Sequence, residues 1–288
     1  MDLSLLPVGK KTRMVRMCYE HGPGNGKLMI LPIDQGLEHG PIDFFPNPDA
    51  LDPKYEWELA LKGGYSAIAL HIGLAEKYMH EYAGKVPLLL KLNGKTCIPP
   101  DDEALSALTS TVEDAVRLGA DAVGYTLFVG SPKQTEDINQ LRWVRQECDR
   151  FGMPLVVWSY PRGKFIDAKG GKESLYAVDY AARTALEMGV DVIKLNFPKV
   201  GDPNQPKPYN TLAEDELTAL KRVVKSAGRA GVIISGGSKI DDADLIKKVQ
   251  TSLDGGCMGF IFGRNMWQRP LDNALALSKQ ISELMKKH

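Results

Sequence analysis

From about residue 28 onward, short runs of leucine and β-branched residues alternate with longer stretches whose apolar positions recur at helical spacing. The runs predict strands over Leu28–Ile33, Ala67–Leu70, Pro87–Leu92, Ala122–Tyr125, Pro154–Ser159, Val192–Leu195, Val232–Ser235 and Gly259–Phe262. Between them the pattern predicts helices, clearest over Ala104–Leu118, Glu136–Phe151, Ser174–Met188, Leu212–Ala227, Ala243–Ser252 and Leu271–Lys286. Several strands follow one phrase: Leu118-Gly119-Ala120-Asp121-Ala122-Val123, Met188-Gly189-Val190-Asp191-Val192-Ile193 and Lys62-Gly63-Gly64-Tyr65-Ser66-Ala67. In each, a helix ends at a glycine C-cap and a tight turn enters a buried strand. Eight βα units with no antiparallel hairpin signal imply a parallel sheet, and eight such strands close a barrel. An open doubly wound sheet would want a glycine-rich dinucleotide fingerprint after its first strand, and Asp34-Gln35-Gly36-Leu37-Glu38-His39-Gly40 is not one. The expected fold is therefore α/β, a single-domain (β/α)₈ barrel over residues 28–288. Residues 1–27 form an N-terminal extension that ends in the loop Gly22-Pro23-Gly24-Asn25-Gly26. Within it Lys10–Glu20 reads as a short helix that closes the barrel floor or contacts a neighbouring subunit.

Composition narrows the function without naming it. The chain has 288 residues, close to the roughly 250 of one such barrel, with hydrophobic content of 43% and charged content of 25%. Lys+Arg and Asp+Glu balance at 36 each, so no global field draws in nucleic acid or an anionic membrane. Any anion site must be local. The longest apolar runs, such as Val86–Leu90, are strand-length, and Met1–Pro7 lacks the basic start and apolar core of a signal peptide. The four cysteines are scattered without a CxxC pair and read as free thiols of a cytoplasmic protein. His39, His71 and His80 lack HxxxH or HExxH spacing, so no metal site is expected.

In a (β/α)₈ barrel, alternate strand residues point inward, and chemistry gathers at the C-terminal ends of the strands. If Ile193 and Leu195 face the helices, then Val192, Lys194 and Asn196 face the axis. The same parity groups Val156, Trp158 and Tyr160; Ile30, Pro32 and Asp34; and Leu89, Lys91 and Asn93. Lys194, Tyr160, Trp158, Asp34 and Lys91 should thus converge on the barrel mouth. A lysine with an unperturbed pKa of about 10.4 is only about 0.1% neutral near pH 7.4. Burial between apolar neighbours and a second cation, for which Lys91 is placed, would free the amine to attack a carbonyl. The bland alternative for Lys194 is an ion pair with Asp34. Tyr160 is either a proton carrier or a rim tyrosine, Trp158 a packed wall or a ligand contact, and Asp34 a turn residue or an inward carboxylate.

The last two units carry a different signal. Ser235-Gly236-Gly237 and Gly263-Arg264 each put glycine directly after a strand, where bare backbone N–H groups can surround a phosphate and Arg264 adds fixed charge. Tight turns would also use glycine, but two such loops in the final units favour phosphate. Arg162 with Gly163–Gly171, and the proline-rich Phe197–Asn210, are long loops on the same face, either of which could serve as a lid.

Ile33-Asp34-Gln35-Gly36-Leu37-Glu38-His39-Gly40, Lys91-Leu92-Asn93-Gly94-Lys95-Thr96, Trp158-Ser159-Tyr160-Pro161-Arg162-Gly163, Val192-Ile193-Lys194, Ser235-Gly236-Gly237 and Phe262-Gly263-Arg264 together resemble archaeal-type class I fructose-bisphosphate aldolases. The likeness runs from first strand to eighth in order. It implies Lys194 as Schiff-base lysine, Tyr160 as general acid/base, Asp34 as polar catalytic partner and Trp158 and Lys91 as pocket residues. Ser235, Gly236, Gly237, Gly263 and Arg264 would bind the phosphate of dihydroxyacetone phosphate. It also implies small sugar-phosphate substrates, no metal or organic cofactor, and a homo-oligomer, commonly a decamer. The same family holds Schiff-base synthases and a thiolase. A phosphate-binding barrel isomerase and a non-catalytic sugar-phosphate sensor remain as readings that would not need Lys194.

Overall fold

A computed structural model describes residues 1–288. Eight parallel strands, β1 (Leu28–Pro32), β2 (Ala67–His71), β3 (Leu88–Lys91), β4 (Ala122–Val129), β5 (Leu155–Pro161), β6 (Val192–Leu195), β7 (Gly231–Ser235) and β8 (Gly259–Ile261), neighbour one another in chain order and close as β8 pairs with β1. Helices α1 (Val8–Val15), α2 (Lys54–Lys62), α3 (Ile72–Tyr82), α4 (Val112–Arg117), α5 (Gln134–Phe151), α6 (Leu175–Glu187), α7 (Glu216–Ser226), α8 (Asp242–Asp254) and α9 (Leu271–Lys286) complete the main elements. None is long and apolar enough to cross a membrane.

Strand parity divides the core as the sequence predicts. Val123, Tyr125, Ile193, Leu195 and Ile234 pack outward against the helices, whereas Ile30, Ala69, Leu89, Val156, Trp158, Val192 and Ile233 form a separate cluster inside the barrel. The lower end of that inner cluster includes Met14, Met17 and Cys18 of the N-terminal extension, all fully buried. The extension thus closes the floor, with α1 running into a π-helical turn at Arg16–Glu20.

Charge fixes the plug in place. Buried Lys10 lies 2.9 Å from both Asp191 and Asp149, and Arg16 lies 3.3 Å from Asp121. Asp121 and Asp191 are the acids of the repeated phrase that opens β4 and β6. Asp191 also accepts a hydrogen bond from the Leu155 amide, so it ties β5, β6 and α1 together.

The predicted helix over Ala104–Leu118 is wrong in its first half. Ala107–Leu108 pairs antiparallel with Asn93–Gly94, and helix begins only at Val112. The Thr111 side chain accepts from the Asp114 amide while Asp114 accepts from the Thr111 amide, a capping box that stops helix from starting earlier. The apolar spacing of Ala104, Leu105 and Leu108 imitates one helical turn. The amides of Thr109 and Ser110 instead bond to the Leu92 carbonyl, so tertiary pairing overrides local preference. Likewise, α7 starts at Glu216 rather than Leu212, because Asp215 caps it through the Thr218 amide.

Candidate active site

The C-terminal ends of the strands enclose a cavity of about 450 Å³. Lys194 stands on its wall near the top of β6 and is 5% exposed. Its Nζ lies 4.7 Å from the ring centre of Trp158 and 5.5 Å from that of Tyr160. The register pairs Trp158 directly with Lys194, so β5 and β6 deliver indole and amine side by side. Burial pulls the Lys194 pKa down to about 8, against Asp34 and Glu38, which favour the ammonium, and with Lys91 and Arg264, which oppose it.

Lys91, not Lys194, makes the ion pair with Asp34. Its ammonium, fully buried, donates to Asp34 Oδ2 at 3.2 Å and Glu38 Oε1 at 2.8 Å. Burial would lower its pKa, but Glu38 and Asp34 outweigh burial and hold it charged. For Asp34, burial would favour protonation, yet Lys91 above all, then Lys194 and His71, keep its carboxyl below the usual range. His71, half-buried with both ring nitrogens covered, is pushed down to about 4 by burial and by Lys91 and is neutral at pH 7.

Lys91 and Trp158, also expected among the substrate-binding residues, are enclosed by the packing around the cavity. Both are 0% exposed and neither lines the cavity. Across the ladder Lys91 aligns with Gly124, Val156 and Val192, two residues short of the row that carries Thr126, Trp158 and Lys194. Parity sets the face a side chain points to, but the register sets the row it occupies. Lys91 therefore acts from beneath, on Asp34, Glu38 and Lys194.

Tyr160 does line the cavity, with the Arg162 guanidinium 5.1 Å from its ring centre, and the Ser235 hydroxyl on the same cavity wall donates to Asn196 at 3.2 Å. Burial, then Asp34 and Glu38, raise its pKa, so it is a neutral phenol at physiological pH. Asp34 has no capping role in the short helix Gln35–Glu38 that it precedes, which leaves the carboxylate to Lys91 and the cavity.

Ser235, Gly236, Gly237, Gly263 and Arg264 are brought together on the wall beside Lys194, beyond the next two strands. Gly237 turns at φ 70°, where a side chain is strained. A Cβ on Gly263 would sit 2.6 Å from Gln35 Nε2 and 3.1 Å from the Pro32 carbonyl, so only glycine lets β1 and β8 approach there. Asn265, missed by the sequence reading, binds the two loops to each other. Its Nδ2 donates to the carbonyls of Gly236 (3.3 Å) and Ser238 (3.2 Å), and its Oδ1 accepts from the Ile240 amide (2.9 Å). Arg264 Nη1 is 3.8 Å from Asp43, whose carboxylate also holds His39 at 2.6 Å.

The far side carries cations that the sequence reading left out of the site. Lys95 and Arg162 both reach Asp101, at 2.8 and 3.2 Å, and Lys172 joins them at the rim. The signal for Arg162 was available, since it shares the inward parity of Trp158 and Tyr160. Of the two loops read as lids, Phe197–Asn210 contributes nothing to the cavity wall. It is pinned to α6 instead, where the Tyr209 hydroxyl donates to Asp179 at 2.8 Å and Gln205 accepts from the Tyr176 amide at 2.8 Å.

Known proteins resemble this chain in sequence and fold. Residues 28–269, the barrel itself, match the DeoC/LacD family aldolase family. A fructose-bisphosphate aldolase class 1 from Thermoproteus tenax is 41% identical over 261 residues, 90% of each chain. One from Halobacterium salinarum is 38% identical over 248 residues, 85% of this chain and 86% of its own. A solved archaeal fructose-1,6-bisphosphate aldolase, whose catalytic lysine is bound to the carbinolamine intermediate of its substrate, superposes with a TM-score of 0.81 at 38% identity, covering 96% of this chain and 98% of its own.

Proposed function

The chain belongs to the DeoC/LacD family of aldolases, and we infer that it is a class I fructose-bisphosphate aldolase that uses Lys194 as its Schiff-base nucleophile. It cleaves fructose 1,6-bisphosphate reversibly to dihydroxyacetone phosphate and glyceraldehyde 3-phosphate. The observation that carries the assignment is a buried lysine, with its pKa drawn down to about 8, on the wall of a cavity whose adjoining wall is a pair of glycine loops and Arg264.

The neutral Lys194 amine attacks the C2 ketone to form a carbinolamine. Tyr160, held protonated by burial, donates its proton to the C2 hydroxyl, which leaves as water and yields a protonated imine. The imine draws electrons from the C3–C4 bond while the C4 hydroxyl returns a proton to the Tyr160 phenolate, and glyceraldehyde 3-phosphate departs. Tyr160 then protonates the enamine at C3, and hydrolysis of the imine releases dihydroxyacetone phosphate. Asp34, ionised on the same cavity wall, stabilises the protonated imine. The amides of Ser235–Gly237 and Gly263, with Arg264, hold the C1 phosphate, and Lys95, Arg162 and Lys172 receive the C6 phosphate across the cavity.

Borohydride added with dihydroxyacetone phosphate should inactivate the enzyme by reducing the imine to a stable secondary amine, found at Lys194 by peptide mass mapping. Lys194→Met should lose both adduct and cleavage. An adduct on Lys91 would reassign the nucleophile. No adduct with any ketose phosphate would promote the non-covalent isomerase or sensor.

A further inference from the structure

Two hydroxyls on the cavity wall have no partner in the chain and no place in the mechanism above. Thr126 Oγ1 and Ser106 Oγ belong to residues only 2% and 1% exposed, both line the cavity, and neither hydroxyl makes a hydrogen bond. A buried hydroxyl left unpaired costs roughly 1–3 kcal/mol, so two at one wall call for an occupant that pairs them.

Their backbones are held by side-chain hydrogen bonds. The Asn93 side chain accepts from the Thr126 amide at 2.7 Å and donates to the Thr126 carbonyl at 2.9 Å and the Ser106 carbonyl at 3.4 Å. Gln140 donates to the same Ser106 carbonyl at 2.8 Å. The short antiparallel pair Asn93–Gly94 with Ala107–Leu108 carries Ser106 to this position. A fixed pair of donors and acceptors is what selects a ligand hydroxyl, because little ordering entropy is lost on binding.

The closed strand order states which part of a substrate they meet. The glycine loops follow β7 and β8, while Thr126 lies on β4 and Ser106 beside β3, half a turn away around the barrel. Lys194 and Tyr160 stand between, on β6 and β5. A ketose joined to Lys194 at C2 with its C1 phosphate at β7 and β8 directs C4 to C6 toward β3 and β4. We propose that Ser106 and Thr126 recognise the C5 hydroxyl, which is the 2-hydroxyl of the aldehyde product, and so set the enzyme's preference for α-hydroxy aldehydes as condensation partners. This rests on the aldolase reading.

A site built to bond a hydroxyl rejects the analogue that lacks it, whereas a merely apolar wall does not. The test is condensation of dihydroxyacetone phosphate with glyceraldehyde 3-phosphate or with 3-oxopropyl phosphate, which differs only by the missing 2-hydroxyl. The wild type should favour the hydroxylated aldehyde by about a hundredfold or more in kcat/KM. Thr126→Val, which keeps the shape, should cut that ratio about tenfold, chiefly by slowing the hydroxylated aldehyde, and Ser106→Ala should act in the same direction. Thr126→Ser should keep the preference. A structural disturbance would slow both aldehydes alike and leave the ratio intact. An unchanged ratio in both Thr126→Val and Ser106→Ala overturns the proposal. Failure of the aldolase reading is separate, since it would show as no borohydride adduct in the wild type.

Discussion

At Lys194 burial opposes the charge and two carboxylates favour it, and Lys91 decides how far each is felt. Lys91 lowers the Lys194 pKa directly and also neutralises Asp34 and Glu38, the groups that would raise it. With a folded pKa of about 8, the neutral amine grows from about one-tenth at pH 7 to half at pH 8, so adduct formation should rise about fivefold over that unit. Lys91→Met removes a like charge and exposes two opposite ones, so the Lys194 pKa must rise and the alkaline limb must move to higher pH. Rates of borohydride trapping against pH would show it. A limb that stays near pH 8 in Lys91→Met would mean Lys91 has no electrostatic hold on the amine.

At the level of elements, the phosphate wall depends on two loops that do not bond through their backbones alone. Asn265, fully buried, spans them with three hydrogen bonds. Asn265→Ala should free the Gly236–Ile240 loop and raise KM for the bisphosphate by about tenfold, with a smaller fall in kcat, since phosphate contacts are shared by ground and transition states. If KM holds while the thermal midpoint falls, Asn265 serves stability only. The glycines on either side were legible from their position after β7 and β8. Asn265 was not, because nothing in a single asparagine distinguishes a loop clamp from a surface polar residue until its partners, 25 to 29 residues distant, are placed around it.

Across the whole molecule, the floor and the mouth are separate structures on one barrel. Burial keeps the Asp191 carboxyl above its usual pKa even with Lys10 beside it, so the ion pair adds little net stability. Removing its cation is another matter. Lys10→Met strands Asp191 and should cost about 3–5 kcal/mol, seen as a thermal midpoint lower by several degrees. Borohydride trapping at 25 °C should persist in that variant, because the plug lies at the end of the barrel away from Lys194. An unchanged midpoint would show that apolar contacts of Met14, Met17 and Cys18 alone hold the floor.

Periodicity, glycine punctuation and the repeated strand-opening phrase were enough to determine the eight-unit barrel, because each is a local demand of backbone geometry. Parity was enough to bring Lys194, Tyr160 and Asp34 to one mouth, since side chains alternate whatever the neighbours do. Height within the barrel was not in the sequence. The offset between strands belongs to pairs of strands, and it set Lys91 two residues beneath the row of Trp158 and Lys194. The identity of the Asp34 partner, the clamp at Asn265 and the antiparallel pair that carries Ser106 are likewise properties of residues far apart in the chain. Only closure of the barrel brings such residues within hydrogen-bonding distance, and the low dielectric there gives their charges the strength to move one another's pKa values.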